Sequence, residues 1–148
     1  MNRARALGCI AAGVPDPEAA AWACERIRAW LLHAGADPAG PQAAHVYLGL
    51  RSAADGRRQG RDYWLREAAQ RLPESGTWTQ ARELLRLLGH ARRYRERRRA
   101  QPGAAAPSPV IEALALALDC CGGTMPGTAQ ALHNVLRGWS DTDEADAA

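Results

Sequence analysis

The sequence predicts an all-α protein: a small helical bundle built around an amphipathic helical hairpin, with a C-terminal helical pair. Three observations carry that prediction. Asp16-Pro17 and Ser108-Pro109 each read as an N-cap followed by proline at the first helical position, where its fixed φ suits a helix and its missing N–H costs nothing. Apolar residues recur every three or four positions over long stretches, most clearly in Thr77–Arg99, as one buried helix face requires. Glycines stand where those periodic stretches stop, at Gly13, Gly35, Gly56, Gly122-Gly123 and Gly138, and glycine is the residue that best adopts a left-handed helix end. At 148 residues the chain can bury a core without disulfide or metal support.

Taken in order, Asn2 caps a short first helix that carries Leu7, Ile10 and Ala11 on one side and ends at Gly13. The second helix follows Asp16-Pro17, with Ala20, Cys24, Ile27, Leu31 and Ala34 as its inward stripe, Trp22 and Trp30 flanking it, and Gly35 closing it. Ala36 to Pro41 is a loop. In QAAHVYLGLRSAAD the residues Val46, Leu48 and Leu50 alternate as in a strand, but length and alanine content favour a helix ended by Gly56. GRRQGR is then a basic turn into a helix at about Asp62–Leu72, with Trp64, Leu65, Ala68 and Leu72 inward and Pro73 as its stop.

The central helix, Thr77 to Arg99, completes the hairpin. Thr77 and Gln80 have capping-box spacing. Leu84, Leu85, Leu87, Leu88 and Ala91 fall on one face, with Ala81 and Trp78 at its edge. On the opposite face Arg82, Arg86, His90, Arg93 and Arg97 line up within about 80° and over about 22 Å. Gly89 interrupts that stripe, a gap through which a partner reaches the backbone. Beyond Ala91 the arginines Arg92, Arg95, Arg98 and Arg99 replace leucines, so the helix is expected to leave the core and project as a basic arm. Ala100 to Pro109, AQPGAAAPSP, reads as a linker. The last two helices carry Ile111, Leu114, Ala115 and Leu118, then Ala129, Leu132, Val135 and Leu136, with Trp139 against the end. The organisation expected is therefore a core over residues 1–99, a linker over 100–109, a helical pair over 110–139 and an acidic, disordered tail over 140–148.

Charge separates along the chain. Residues 1–50 balance, 51–99 hold fourteen arginines against six acids, and 100–148 hold one arginine against six acids. A basic middle points to a polyanion or an acidic protein surface. Against that stands composition: the chain has nineteen arginines and no lysine or phenylalanine, the pattern of GC-rich coding, and a charge run often does no more than solvate a face. Clustering on one face is what coding bias does not explain. Arg57, Arg58 and Arg61 of the basic turn are expected at the same end of the hairpin as Arg92 and Arg93, enlarging the patch.

The four cysteines have no paired zinc spacing. Cys120, Cys121 and His133 are the one set that a turn would gather, with buried thiols the ordinary alternative. A reducing, cytoplasmic setting fits such cysteines, and neither a secretory signal nor a membrane-spanning run is expected from ALGCIAAGV. There is no nucleophile elbow, phosphate-binding glycine loop or His-Glu-x-x-His, so no enzyme, cofactor or metal is expected. The last two helices resemble a helix-turn-helix in outline, with His133, Asn134 and Arg137 on the second, although that region is net acidic.

RDYWLREAAQRLPESGTWTQARELLRLL and PVIEALALALDCCGGTMPGTAQALHNVL are similar to segments of small uncharacterised helical proteins of temperate phages and other mobile elements. The resemblance covers about half the chain and implies an accessory role, without naming site residues. The function expected is non-enzymatic binding of nucleic acid, or of a complex containing it, through the arginine-lined helix, with Tyr94 stacking on a base of a single strand. The alternative is a protein–protein module, an adaptor or an inhibitor of a host defence system, whose arginines meet an acidic surface. The sequence leaves self-association open.

Overall fold

The computed structural model describes residues 2–33 and 44–138. Among these residues the chain forms seven helices and no strand: α1 (Arg3–Ala12), α2 (Pro17–His33), α3 (Ala44–Tyr47), α4 (Ala53–Gln70), α5 (Thr77–Ala100), α6 (Pro109–Cys120) and α7 (Ala129–Arg137). They gather into two compact units, Met1–Gly60 and Arg61–Ala148, and α4 runs through the division. The expected loop Ala36 to Pro41, the close of α2 at Ala34 and Gly35, the clamp by Trp139 and the acidic tail lie outside the described residues.

In the N-terminal unit the expected caps form. The Asn2 side chain accepts from the Ala4 and Arg5 N–H groups, at 2.8 and 3.4 Å. Gly13 closes α1 with φ of 68°, and its N–H and that of Val14 donate back to Ile10 and Cys9, a left-handed cap that suits glycine. Asp16 caps α2 by accepting from the Glu18 and Ala19 N–H groups, both at 3.0 Å. Its other oxygen takes Arg5 at 2.7 Å, which fixes the corner between α1 and α2.

Two expectations for this unit fail. In α2 the buried residue is Ala19, with Trp22, Ala23 and Trp30 half-buried beside it. The tryptophans thus mark the inner face, and the expected inward stripe is turned out: Ala20 and Cys24 are exposed, as are Ile27 and Leu31. Nor does one helix continue to Gly56. α3 stops at Tyr47, and Gly49, with φ of 69°, turns the chain so that Leu50 is buried. Ser52 starts α4 by accepting from the Asp55 N–H, while the Asp55 carboxylate accepts from the Arg51 N–H, at 3.1 and 3.3 Å. The supposed basic turn is helix interior. Gly56 and Gly60 stay within α4 because neighbours occupy the space of a side chain: a Cβ at Gly60 would lie 3.1 Å from the Leu7 carbonyl oxygen and 3.2 Å from the Gly8 Cα.

The C-terminal unit is centred on α6, whose residues Val110, Ile111, Ala113 to Leu118 and Cys120 are all buried. Such a helix is apolar all round because helices surround it. Ser108 caps it through the Ile111 N–H at 3.2 Å. Arg71, just past α4, reaches the Pro109 carbonyl, and Asp119 in the last turn meets Arg95 and Arg98. α6 therefore lies along α5, its start towards the α4–α5 turn and its end beside the last turns of α5. The expected lobe of α6 and α7 behind a separating linker is instead the middle of the unit. α7 packs on α5, with His133 edge-on to Trp78 at 5.0 Å, and Arg66 caps its last turn through the Val135 carbonyl. Thr77 makes no capping box: Gly76 precedes α5 without a side-chain cap, and Gln80 reaches the Ala69 carbonyl at 3.2 Å instead. No helix among the described residues is long and apolar enough to cross a membrane.

Candidate nucleic-acid interface

α5 sets the geometry of the candidate surface. Its inner face buries Ala81, Leu84, Leu88, Ala91 and Tyr94, so residues about 180° away must face water. Arg82, Arg86, His90, Arg93 and Arg97 are all exposed there, on one unbroken helix. Arg82 makes no ion pair among the described residues. Arg86 does: both its Nε and Nη2 donate to Glu83, at 2.9 and 2.6 Å. That pair holds the Glu83 carboxyl below its usual range and raises the Arg86 guanidinium further. Arg93 sits 3.1 Å from His90 Nδ1, and Arg97 donates to the Ala105 carbonyl at 3.3 Å. At Gly89 an added Cβ would meet only Arg93 Nη1, at 3.9 Å, so the gap in the stripe is open.

The expected projecting arm does not form. Tyr94 is 5% exposed and its hydroxyl donates to the Ala104 carbonyl at 3.2 Å. Its ring is flanked by the guanidinium groups of Arg97 and Arg98 at 5.7 and 5.5 Å. A ring so covered has no face for a nucleobase, which removes the expected stacking role. Arg95 and Arg98 point to α6 rather than to solvent, because the Asp119 carboxylate accepts from both across the helix pair. Sequence periodicity placed them correctly on the core side; what it lacked was the carboxylate that makes that side tolerable.

The arginines of the expected basic turn lie on α4 and differ in their surroundings. Arg57 is exposed on α4, and Arg58 pairs with Asp55 at 2.7 Å, both in the N-terminal unit. Arg61 belongs to the C-terminal unit and pairs with Asp62 at 2.6 Å, each side chain 19% exposed. Arg61 and Arg95 partly offset the burial that pushes the Cys121 thiol up. Arg61 is thus a covered, neutralised arginine.

Among the described residues no three His, Cys, Asp or Glu side chains come together as a metal site requires. Cys121 donates to the Ala117 carbonyl at 3.2 Å and His133 faces Trp78, so the Cys120, Cys121 and His133 set is not gathered. The contact with Trp78 also turns His133 inward, away from the reading face a helix-turn-helix would need. Comparison with family models, curated proteins and solved structures gives no match to this chain.

Proposed function

We propose that the chain is a non-enzymatic nucleic-acid-binding protein whose contact surface is the exposed face of α5. The observation that supports this reading is the stripe itself: Arg82, Arg86, Arg93 and Arg97 are exposed along one side of a single helix, and Glu83 alone is ion-paired to it among the described residues. Four guanidinium groups over about 22 Å suit the closely spaced charges of a phosphate backbone. Such contacts position without reading sequence. An accessory role in a mobile element remains compatible with this surface and rests on the resemblance alone.

Salt titration tests the reading. Replacing Arg82, Arg86, Arg93 and Arg97 with glutamine should weaken binding to an arbitrary oligonucleotide and lower the log–log salt slope by about 0.9 per lost duplex contact, or about 0.7 per contact on a single strand. Glu83→Gln should do the opposite, because it releases Arg86 from a pair that competes with phosphate. Unchanged binding by the quadruple variant, or no binding by the wild type at low salt, overturns the proposal. Sharp selectivity for one acidic protein with weak salt dependence would instead fit an adaptor or inhibitor.

A further inference from the structure

Burial of Tyr94 takes away the aromatic expected on the arginine face of α5, but a second aromatic stands at the start of that face. Among the described residues of the C-terminal unit, Trp78 is the one large apolar side chain that is exposed, at 44%, whereas Trp64 of the same unit is 6% exposed. Burying an indole is among the larger apolar gains open to a fold, and here that gain is left partly unused. His133 stands beside it with ring centroids 5.0 Å apart and 80° between the planes. A perpendicular ring takes at most one of the indole's two faces, which leaves exposed surface for a flat partner.

Position decides the chemistry of that partner. At about 100° per residue, Trp78 lies about 40° round α5 from Arg82 and one turn, about 6 Å, before it. Arg82 is exposed and makes no ion pair among the described residues, and the exposed Arg86 follows one turn later. The indole therefore heads a row of guanidinium groups on the same side of the helix. A flat apolar surface at the head of a cationic row matches a chain that alternates flat π-systems with negative charges. A nucleic-acid strand is such a chain, provided its bases are free. In a duplex the bases are paired and stacked on one another, so a side chain against the intact helix meets phosphates and not base faces.

We infer, resting on the reading of this face as a nucleic-acid surface, that Trp78 is a base-stacking platform and that the ligand is single-stranded. One base lies on the indole while the adjoining phosphates run past Arg82 and Arg86. Phosphate contacts supply the salt-dependent part of binding, and the stacked base adds a part that depends little on salt. Every base has a π-face, so the preference is for free strands and not for a sequence.

Oligothymidylate and an abasic oligonucleotide of equal length differ in bases but not in phosphate charge, so comparing them isolates stacking. The wild type should bind oligothymidylate about 5- to 100-fold more tightly, with the same salt slope for both. Trp78→Leu keeps an apolar side chain beside His133 and should erase most of that preference, leaving affinity for the abasic strand and for duplex DNA unchanged. Trp78→Phe, with a smaller ring, should keep only part of the preference, and it carries the comparison if the leucine variant loses its helical circular dichroism spectrum. Equal binding of the two strands by the wild type, or a preference that the folded Trp78 variants keep in full, overturns the stacking role and leaves the arginine surface standing. Failure of the wild type to bind oligothymidylate, abasic strand or duplex at low salt overturns both the nucleic-acid surface and the stacking role.

Discussion

Single carboxylates hold much of this protein's local order, and their pH dependence follows from how they are held. Asp16 lies below the usual carboxylate range first because the Ala19 N–H donates to it and then because Arg5 does. Asp55 lies low chiefly through Arg58 and then the Arg51 N–H. A depressed folded value means that the unfolded chain takes up the proton first. The stabilisation is therefore complete above the ordinary carboxylate pKa of about 4 and is lost as pH falls through the lower folded value. The melting temperature should hold from neutral pH to about 5 and drop below about 4. Asp16→Asn should flatten part of that drop: asparagine keeps the cap but cannot ionise. His133 behaves differently, since its Nδ1 is buried without a hydrogen-bond partner among the described residues. An orphaned polar atom costs about 1–3 kcal/mol. His133→Phe keeps the edge contact with Trp78 and should leave stability unchanged or raise it by about 1 kcal/mol, read by denaturant melts.

Elements show where a sequence is legible and where it is silent. Caps were readable because their chemistry is local: Asn2, Asp16 and Ser108 each do what their position predicts. Faces were not, when a helix had two apolar sides. In α2 the tryptophans and the aliphatic stripe offered equal periodicity, and only tertiary packing chose between them. The end of α5 is hard to read for a related reason, because the carboxylate that admits Arg95 and Arg98, Asp119, lies on a different helix. Asp119→Ala should cost about 1–2 kcal/mol and speed amide exchange over residues 95–100. Glycine within α4 and α5 makes the contrast sharper. Gly89→Ala enters open space and should stabilise by about 1 kcal/mol. Gly60→Ala offers the same gain in helix propensity, yet its Cβ would press on the backbone of Leu7 and Gly8 at 3.1 to 3.3 Å. It should therefore gain nothing or lose stability. Thermal melts of the two variants together test whether the α1–α4 approach is as close as the glycines imply.

At the scale of the whole molecule, the all-α class was legible because periodicity and punctuation agree along most of the chain. The division was not. Composition put the break at the proline- and alanine-rich stretch 100–109, whereas the units divide at Gly60 and Arg61, inside a continuous helix. Linker composition states what a segment can do, and here Tyr94 and Arg97 hold Ala104 and Ala105 to the end of α5. The two units are also unequal in core. The largest fully buried side chains, Leu65, Leu84, Leu114, Leu118 and Leu132, all belong to the C-terminal unit. Among the described residues, the buried apolar residues of the N-terminal unit are Ala6, Leu7, Cys9, Ala19 and Leu50, mostly small. Since the area available for burial decides whether a short chain folds alone, the units should differ when separated. A fragment of residues 53–138, which keeps α4 whole with its Ser52 cap replaced by an acetyl group, should be helical and melt cooperatively. A fragment of residues 1–52 should show little helix and no cooperative transition. Circular dichroism melts of both decide the matter. A cooperative 1–52 fragment would place real stability in the α1–α2 corner held by Arg5 and Asp16, and a molten 53–138 fragment would mean that α6 needs more than its own unit to stay buried.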